Sequence, residues 1–275
     1  MPEPTDQPWI EPYPGFEYHP RAMTVTAEEQ ARLVALCDID PAVFGPDIDP
    51  SGFISLAIQE GVRNRIHANG TVNMAQRVDM HRPLRLGETL TVRGRILDVQ
   101  KVPRGHISTS ETWYEGEDGH RALTTGRSSL RPSLAPATPT PPGDSRPTGG
   151  AGEKPPAIIA NPATLRPIAR YTLTPEAVSA FSGPHNPIHF DPEAARRGGF
   201  RAPIIGGSHG IRFLTAEIWK RARPRQLDMD INFRRPIFWD DTVDVMVQEQ
   251  NTTWTAMALL KDGRICTELA IRHWA

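Results

Sequence analysis

Cysteine is scarce in this 275-residue chain: Cys37 and Cys266 are the only two, far apart and without metal-ligand spacing. That excludes a disulfide scaffold and a thiolate metal site, and it suits a reduced, cytoplasmic location. An excess of charge of either sign is also missing. Thirty-one basic residues face thirty-two acidic ones, so no basic field exists to hold a phosphate backbone, and no nucleic-acid partner is expected. No uninterrupted apolar run approaches the roughly 20 residues that a bilayer-crossing helix needs. The first 20 residues are polar, acidic and proline-rich, unlike the basic and then apolar pattern of a signal peptide. No membrane association is expected.

Proline, by contrast, is plentiful. Of 28 prolines, six fall in residues 1–20 and eight in 132–156. These two stretches lack helical or strand periodicity and read as a disordered tail and a linker. The linker separates two halves that resemble each other. Arg82-Pro83-Leu84 through Thr89-Leu90-Thr91-Val92 lines up with Arg235-Pro236-Ile237 through Thr242-Val243-Asp244-Val245. Upstream, Thr24-Val25-Thr26-Ala27-Glu28 matches Thr172-Leu173-Thr174-Pro175-Glu176, and downstream Asp118-Gly119 matches Asp262-Gly263. Three blocks in one order, with slowly drifting offsets, indicate two copies of one unit.

Each copy reads as a capped short helix, a longer helix, then alternating strands joined by Asp-Gly turns. Helix followed by antiparallel sheet predicts an α+β class. The expected division is a first copy over 1–135 with a proline-rich tail at 1–20, a linker at 136–157, and a second copy over 158–275.

The densest chemistry lies in Phe181-Ser182-Gly183-Pro184-His185-Asn186-Pro187-Ile188-His189-Phe190-Asp191-Pro192. Three prolines forbid a continuous helix here and predict a tightly turned loop. Asp191-Pro192 is a good cap and first position for a short helix at 193–197. Further on, Gly206-Gly207 precedes a helical pattern in which Ile211, Leu214 and Ile218 share a face. The N–H groups at such a helix start are unpaired and carry the positive end of the dipole, which suits a developing oxyanion.

The run Ser-Gly-x-x-Asn-Pro-Ile-His-x-Asp-Pro, then Gly-Phe-x-x-Pro-Ile and a glycine-led helix, resembles the signature of the MaoC-type (R)-specific enoyl-CoA hydratases and 3-hydroxyacyl-thioester dehydratases. The resemblance implies a double hotdog, two long helices each wrapped by an antiparallel sheet. It also implies an enzyme acting on an acyl-CoA or acyl-carrier-protein thioester, with no cofactor and no metal, and it leaves room for a homodimer. In that family a histidine and an aspartate activate water while a glycine N–H polarises the thioester carbonyl. The histidine carries over to His189 and the glycine to Gly207. The aspartate does not: its place is taken by Pro184, which leaves His185 as the candidate second proton carrier. Asn186, Ser208, Thr215 and Arg201 are the expected substrate contacts.

Simpler readings stand beside these. His185 and His209 are as readily solvated or hydrogen-bonded loop residues as proton carriers. His185 and His189 have HxxxH spacing, but Pro187 breaks the helix that would align them on a metal. Gly206 to Gly210 formally matches Gly-x-Ser-x-Gly, yet no parallel sheet surrounds it. Basic residues near 196–201 and 220–225 fit coenzyme A phosphates or a solvated surface equally well. Ile54, Ile58 and Val62 form a helix face for core or acyl pocket. The first copy has no Asn-Pro-Ile-His, so it reads as a non-catalytic partner. A binding subunit without turnover and an acyl-CoA thioesterase are the alternative functions.

Overall fold

A computed structural model describes residues 8–68, 70–133 and 155–275. The first half runs β1 (Arg21–Thr24), α1 (Ala27–Ala35), α2 (Gly52–Arg63), β2 (Val72–Met80), β3 (Thr89–Val102), β4 (Gly105–Glu115) and β5 (Arg121–Pro132). The second runs β6 (Arg166–Thr172), α3 (Pro175–Ser182), α4 (Pro192–Arg197), α5 (Gly207–Arg221), β7 (Leu227–Phe233), β8 (Thr242–Gln250), β9 (Thr253–Lys261) and β10 (Arg264–Trp274). Apart from α4, the two halves repeat the same order. The proline-rich segment expected as a linker falls mostly at 134–154, outside the described residues.

The repeated sequence blocks set matching local structures. Thr26 caps α1 by accepting from the Glu29 N–H at 3.1 Å, and Thr174 caps α3 by accepting from the Ala177 N–H at 3.2 Å. Both satisfy a donor that the helix itself leaves unpaired. Asp262 (φ 48°) and Gly263 (φ 69°) turn β9 into β10 with two consecutive left-handed residues, the conformation a tight hairpin needs to match strand twist.

All ten strands join one sheet, in the order β1-β3-β4-β5-β2-β7-β10-β9-β8-β6. The order is the same in each half when read outward from the centre. The seam is the antiparallel pairing of β2 with β7, from Ala75 opposite Asn232 to Met80 opposite Leu227. The halves therefore share one sheet instead of owning one each. The helices that lie against it are 12 residues (α2) and 15 residues (α5) long. A single apolar core draws from both halves, including Phe53, Ile54, Leu123, Leu214, Trp219 and Leu259.

Two expectations change on the structure. The helix face anticipated at Ile211, Leu214 and Ile218 is only part of α5, because every residue from Ser208 to Trp219 is buried. A helix enclosed on all sides sits between layers, not on a surface. Within the proline-rich start, residues 8–20 are also not a free tail. Ile10 N–H bonds the Arg65 carbonyl at 2.9 Å, and Gly15 and Tyr18 bond the carbonyls of Ile96 and Gly94 at 2.8 Å. Prolines remove donors, but several of the remaining N–H groups pair with the rest of the first half, the His19 N–H reaching Asn64 Oδ1 at 2.8 Å. Tyr18 is buried, and its ring fills the space above Gly94, where a Cβ would stand 2.3 Å from Tyr18 Cδ2. Among the described residues, no helix is long and apolar enough to cross a membrane.

Candidate active site

The loop between α3 and α5 is built from short turns. Gly183–His185 and Pro187–His189 each form a single 3₁₀ turn. Asp191 then caps α4, its carboxylate accepting from the Glu193 N–H at 2.8 Å, with Pro192 at the first helical position. Proline at three positions fixes φ along this loop and reduces the entropy that ordering costs.

His189 ends the second turn and is clamped to the strand-like lead into α5. Its Nδ1 donates to the Ile204 carbonyl at 2.7 Å, while the Ile204 N–H bonds the Ile188 carbonyl at 3.1 Å. Because a carbonyl only accepts, the proton resides on Nδ1 and Nε2 carries the lone pair. Burial lowers the His189 pKa, with the Ile204 hydrogen bond opposing it. The ring is thus neutral near pH 7 and Nε2 is a base. The Asn186 amide stands 3.4 Å from Nε2.

Three residues after Ile204, α5 begins. Gly206 occupies the cap position and no side chain caps the helix, so the first N–H groups and the positive dipole end are left without a side-chain partner. Glycine suits the packing at position 207: a Cβ there would lie 2.9 Å from Phe233 Cζ and force the ring or the helix start to shift. Base and N–H donor are held on either side of one short segment, Ile204 to Gly207.

The other expected site residues fall in different places. The Ser208 hydroxyl bonds that of Ser55 on α2, and Ser208 is almost wholly buried. Thr215 is fully buried and donates to Asp49 Oδ1 at 2.9 Å. Its hydroxyl ties the two halves together and does not face His189. Arg201 pairs with Asp240 at 3.0 Å and Asp241 at 2.7 Å and covers the Phe238 ring. It is held by the second half's own acids. Pro184 is exposed. The His185 side chain lies outside what the structure describes. Ile54 is core, while Ile58 and Val62 are half-buried.

Sequence reasoning missed one buried ion pair and misplaced His209, which the sequence offers as a solvated or hydrogen-bonded loop residue or a proton carrier and which the structure buries within α5. Asp49, from the first half, accepts from Arg212 Nε at 2.6 Å, and both are buried. This ion pair bridges 163 residues of chain. His209 is 0% exposed, lies between the rings of Phe181 and Phe213, and has no hydrogen-bond partner for either ring nitrogen among the described residues. Burial, then Arg212 and His189, lower its pKa to about 3.

Residues 161–263, which contain the His189 loop and the start of α5, match the family model "MaoC like domain". The second half carries a MaoC-like domain. A curated relative, 3-hydroxyacyl-thioester dehydratase X of Mycobacterium tuberculosis, is 25% identical over 196 residues, covering 68% of this chain and 62% of that protein. The match therefore spans less than two thirds of the relative's length. The crystal structure of HtdX from the same organism superposes with a TM-score of 0.70 at 20% identity, covering 92% of this chain and 98% of that one. Another M. tuberculosis structure, described as a double hotdog, gives 0.57 at 15% identity over 93% and 95% of the two chains. The MaoC-like domain thus sits within a double hotdog, and the first half supplies the other copy of the fold.

Proposed function

We propose that the chain hydrates a 2-enoyl thioester, or dehydrates the 3-hydroxyacyl thioester, using His189 and the start of α5. The observation that carries this reading is the neutral His189 ring with its unprotonated Nε2, tied through Nδ1 to Ile204, three residues of chain before an uncapped helix start. In hydration, Nε2 takes a proton from water as the oxygen bonds Cβ, and the proton is delivered to Cα. Negative charge collects on the thioester oxygen, where the Gly207 N–H and the α5 dipole stabilise it. Dehydration is the reverse. The catalytic set is His189, Gly207 and, as second proton carrier, His185; Asn186 orients the water at Nε2. The carrier of the acyl group is coenzyme A or a carrier protein. The first half, residues 1–135, is the non-catalytic copy that walls the acyl group, joined through 136–157 to the catalytic copy, 158–275.

Among the described residues, no carboxylate hydrogen-bonds His189, in keeping with Pro184 at the family's aspartate position. That absence favours a second reading, in which the site binds an acyl thioester without turnover. Incubation with short and medium enoyl-CoA thioesters, following ultraviolet enoyl absorbance and free thiol together, separates the two. Loss of absorbance without thiol supports hydration, thiol release indicates a thioesterase, and neither leaves the binding role. A general base contributes about 10² to 10⁴ in rate, so His189→Ala should lose that much. Full activity in this variant would sink the mechanism.

A further inference from the structure

The two halves present different chemistry on the inner face of the shared sheet. In the second half, Val243, Val245, Val247, Met257 and Leu259 are fully buried and apolar. The first half carries a polar band instead. Strand register puts Ser110 opposite Arg127 and Arg127 opposite Gln76, with Ser108, Ser129 and Asn73 forming the neighbouring row.

Arg127 is the centre of this band. Its Nε donates to Asn73 Oδ1 at 2.7 Å and its Nη2 to Thr71 Oγ1 at 3.1 Å. Both acceptors are neutral, and no carboxylate pairs with Arg127 among the described residues. Burial pulls its pKa down to about 10, opposed only by Tyr18. Such a cation is costly unless something of opposite charge meets it. The residue keeps some accessible surface despite its depth. Beside it, Gln76 is 3% exposed and its Oε1 has no partner among the described residues.

This band connects to the reaction site. Because Arg127 occupies Asn73 Oδ1, the Asn73 amide nitrogen is free to turn away, and it lies 3.6 Å from where a Cβ on Gly207 would stand. One asparagine side chain therefore spans the gap between the Gly207 helix start and the guanidinium. The far side is closed by Tyr18 over Gly94. An acyl group whose thioester oxygen meets Gly207 has, within a few carbons, a planar cation with donors to spare.

We propose that Arg127, oriented by Asn73 and Thr71, receives a carboxylate at the distal end of the acyl group, so that the preferred substrate is the monothioester of a short dicarboxylic acid. The proposal rests on the hydratase or dehydratase reading of the site. A planar guanidinium and a carboxylate match as a two-bond pair, and the polar band around them would serve an alkyl tail poorly.

Binding of saturated thioesters tests this apart from turnover. Calorimetry compares succinyl-CoA with butyryl-CoA, which has the same carbon count, on the wild type and on Arg127→Met. The wild type should prefer succinyl-CoA by about 10- to 100-fold, the range of a charge-assisted hydrogen bond. Arg127→Met should lose that preference and still bind butyryl-CoA. On the wild type alone, the preference should fall from succinyl- to adipyl-CoA, a result that stands even if the variant does not fold. Equal binding of succinyl- and butyryl-CoA by the wild type, a preference retained in Arg127→Met, or binding of neither thioester overturns the proposal. An Arg127-dependent preference with no turnover of fumaryl-CoA overturns the hydratase reading and leaves the receptor standing. Turnover of crotonyl-CoA without that preference does the opposite.

Discussion

Acidification should destabilise this protein through His209. The ring is wholly enclosed between Phe181 and Phe213, near Arg212 and His189, and its pKa falls from 6.5 to about 3. In the unfolded chain the same histidine titrates near 6.5. Between about pH 6.5 and 3 the unfolded state therefore binds a proton that the folded state refuses. Stability rises with pH across this window and is lost as pH falls below 6.5. Each pH unit within the window is worth about 1.4 kcal/mol, so this one group removes about 2 kcal/mol between pH 7 and pH 5. Against a total of roughly 5–15 kcal/mol, that is a large share. The assay is urea unfolding of the wild type and His209→Leu at the two pH values. His189, whose pKa is also lowered by burial, contributes in the same direction in both proteins and cancels in the comparison. The leucine variant should lose about 2 kcal/mol less than the wild type on acidification. Equal losses would show that His209 is protonated in the folded state or reaches water, and the argument from its enclosure would fail.

Further outcomes follow from single contacts. Asp49→Ala leaves the Arg212 charge buried without its partner and should cost about 3–5 kcal/mol, read by urea unfolding; a loss under 1 kcal/mol would mean that water reaches the pair. Gly207→Ala drives a Cβ to 2.9 Å from the Phe233 ring. The resulting shift of the helix start should lower hydration rate about 10²-fold while circular dichroism stays unchanged. Gly94→Ala puts a Cβ 2.3 Å from the Tyr18 ring and should cost about 1–3 kcal/mol. It should also make residues 8–20 newly sensitive to limited proteolysis, and a tail that stays protected would refute the wedge.

The sequence made legible what depends on nearby residues. Thr26 and Thr174 announced two helix starts, Asp262-Gly263 a hairpin, and Asp191-Pro192 the start of α4, because caps and turns are decided by residue types within a few positions. The second half's loop and helix start were readable as a motif for the same reason. What joins the halves was not readable. Asp49 and Arg212 are 163 residues apart, and neither periodicity nor local chemistry marks them as partners. Thr215 looked like a site hydroxyl because its other role, donating to Asp49, lies in the first half. The proline-rich start looked disordered because composition reports the donors that are missing, not where the remaining ones find acceptors. Asn73 and Arg127 sat inside an ordinary strand pattern, and only the register of β2 with β5 shows their adjacency.

The duplicated fold offers two equivalent helix starts, and the chain treats them oppositely. At α2 the Asp49 carboxylate accepts from the Ser51 N–H at 3.0 Å and is covered by Arg212. The positive end of that helix already holds an anion from its own chain, in a buried place no substrate reaches. At α5 the cap residue is Gly206, where α2 has Ser51, and Ile204 stands where α2 has Asp49; neither brings a side-chain oxygen. A helix end can stabilise a transient charge only if no permanent one occupies it. Placing a carboxylate at the α5 cap, by Gly206→Asp, should therefore put a permanent anion at this helix end too: anionic thioester oxygen would be repelled, and hydration should fall far more than binding of a saturated thioester. If Gly206→Asp left the rate intact, the α5 start would not be where charge develops.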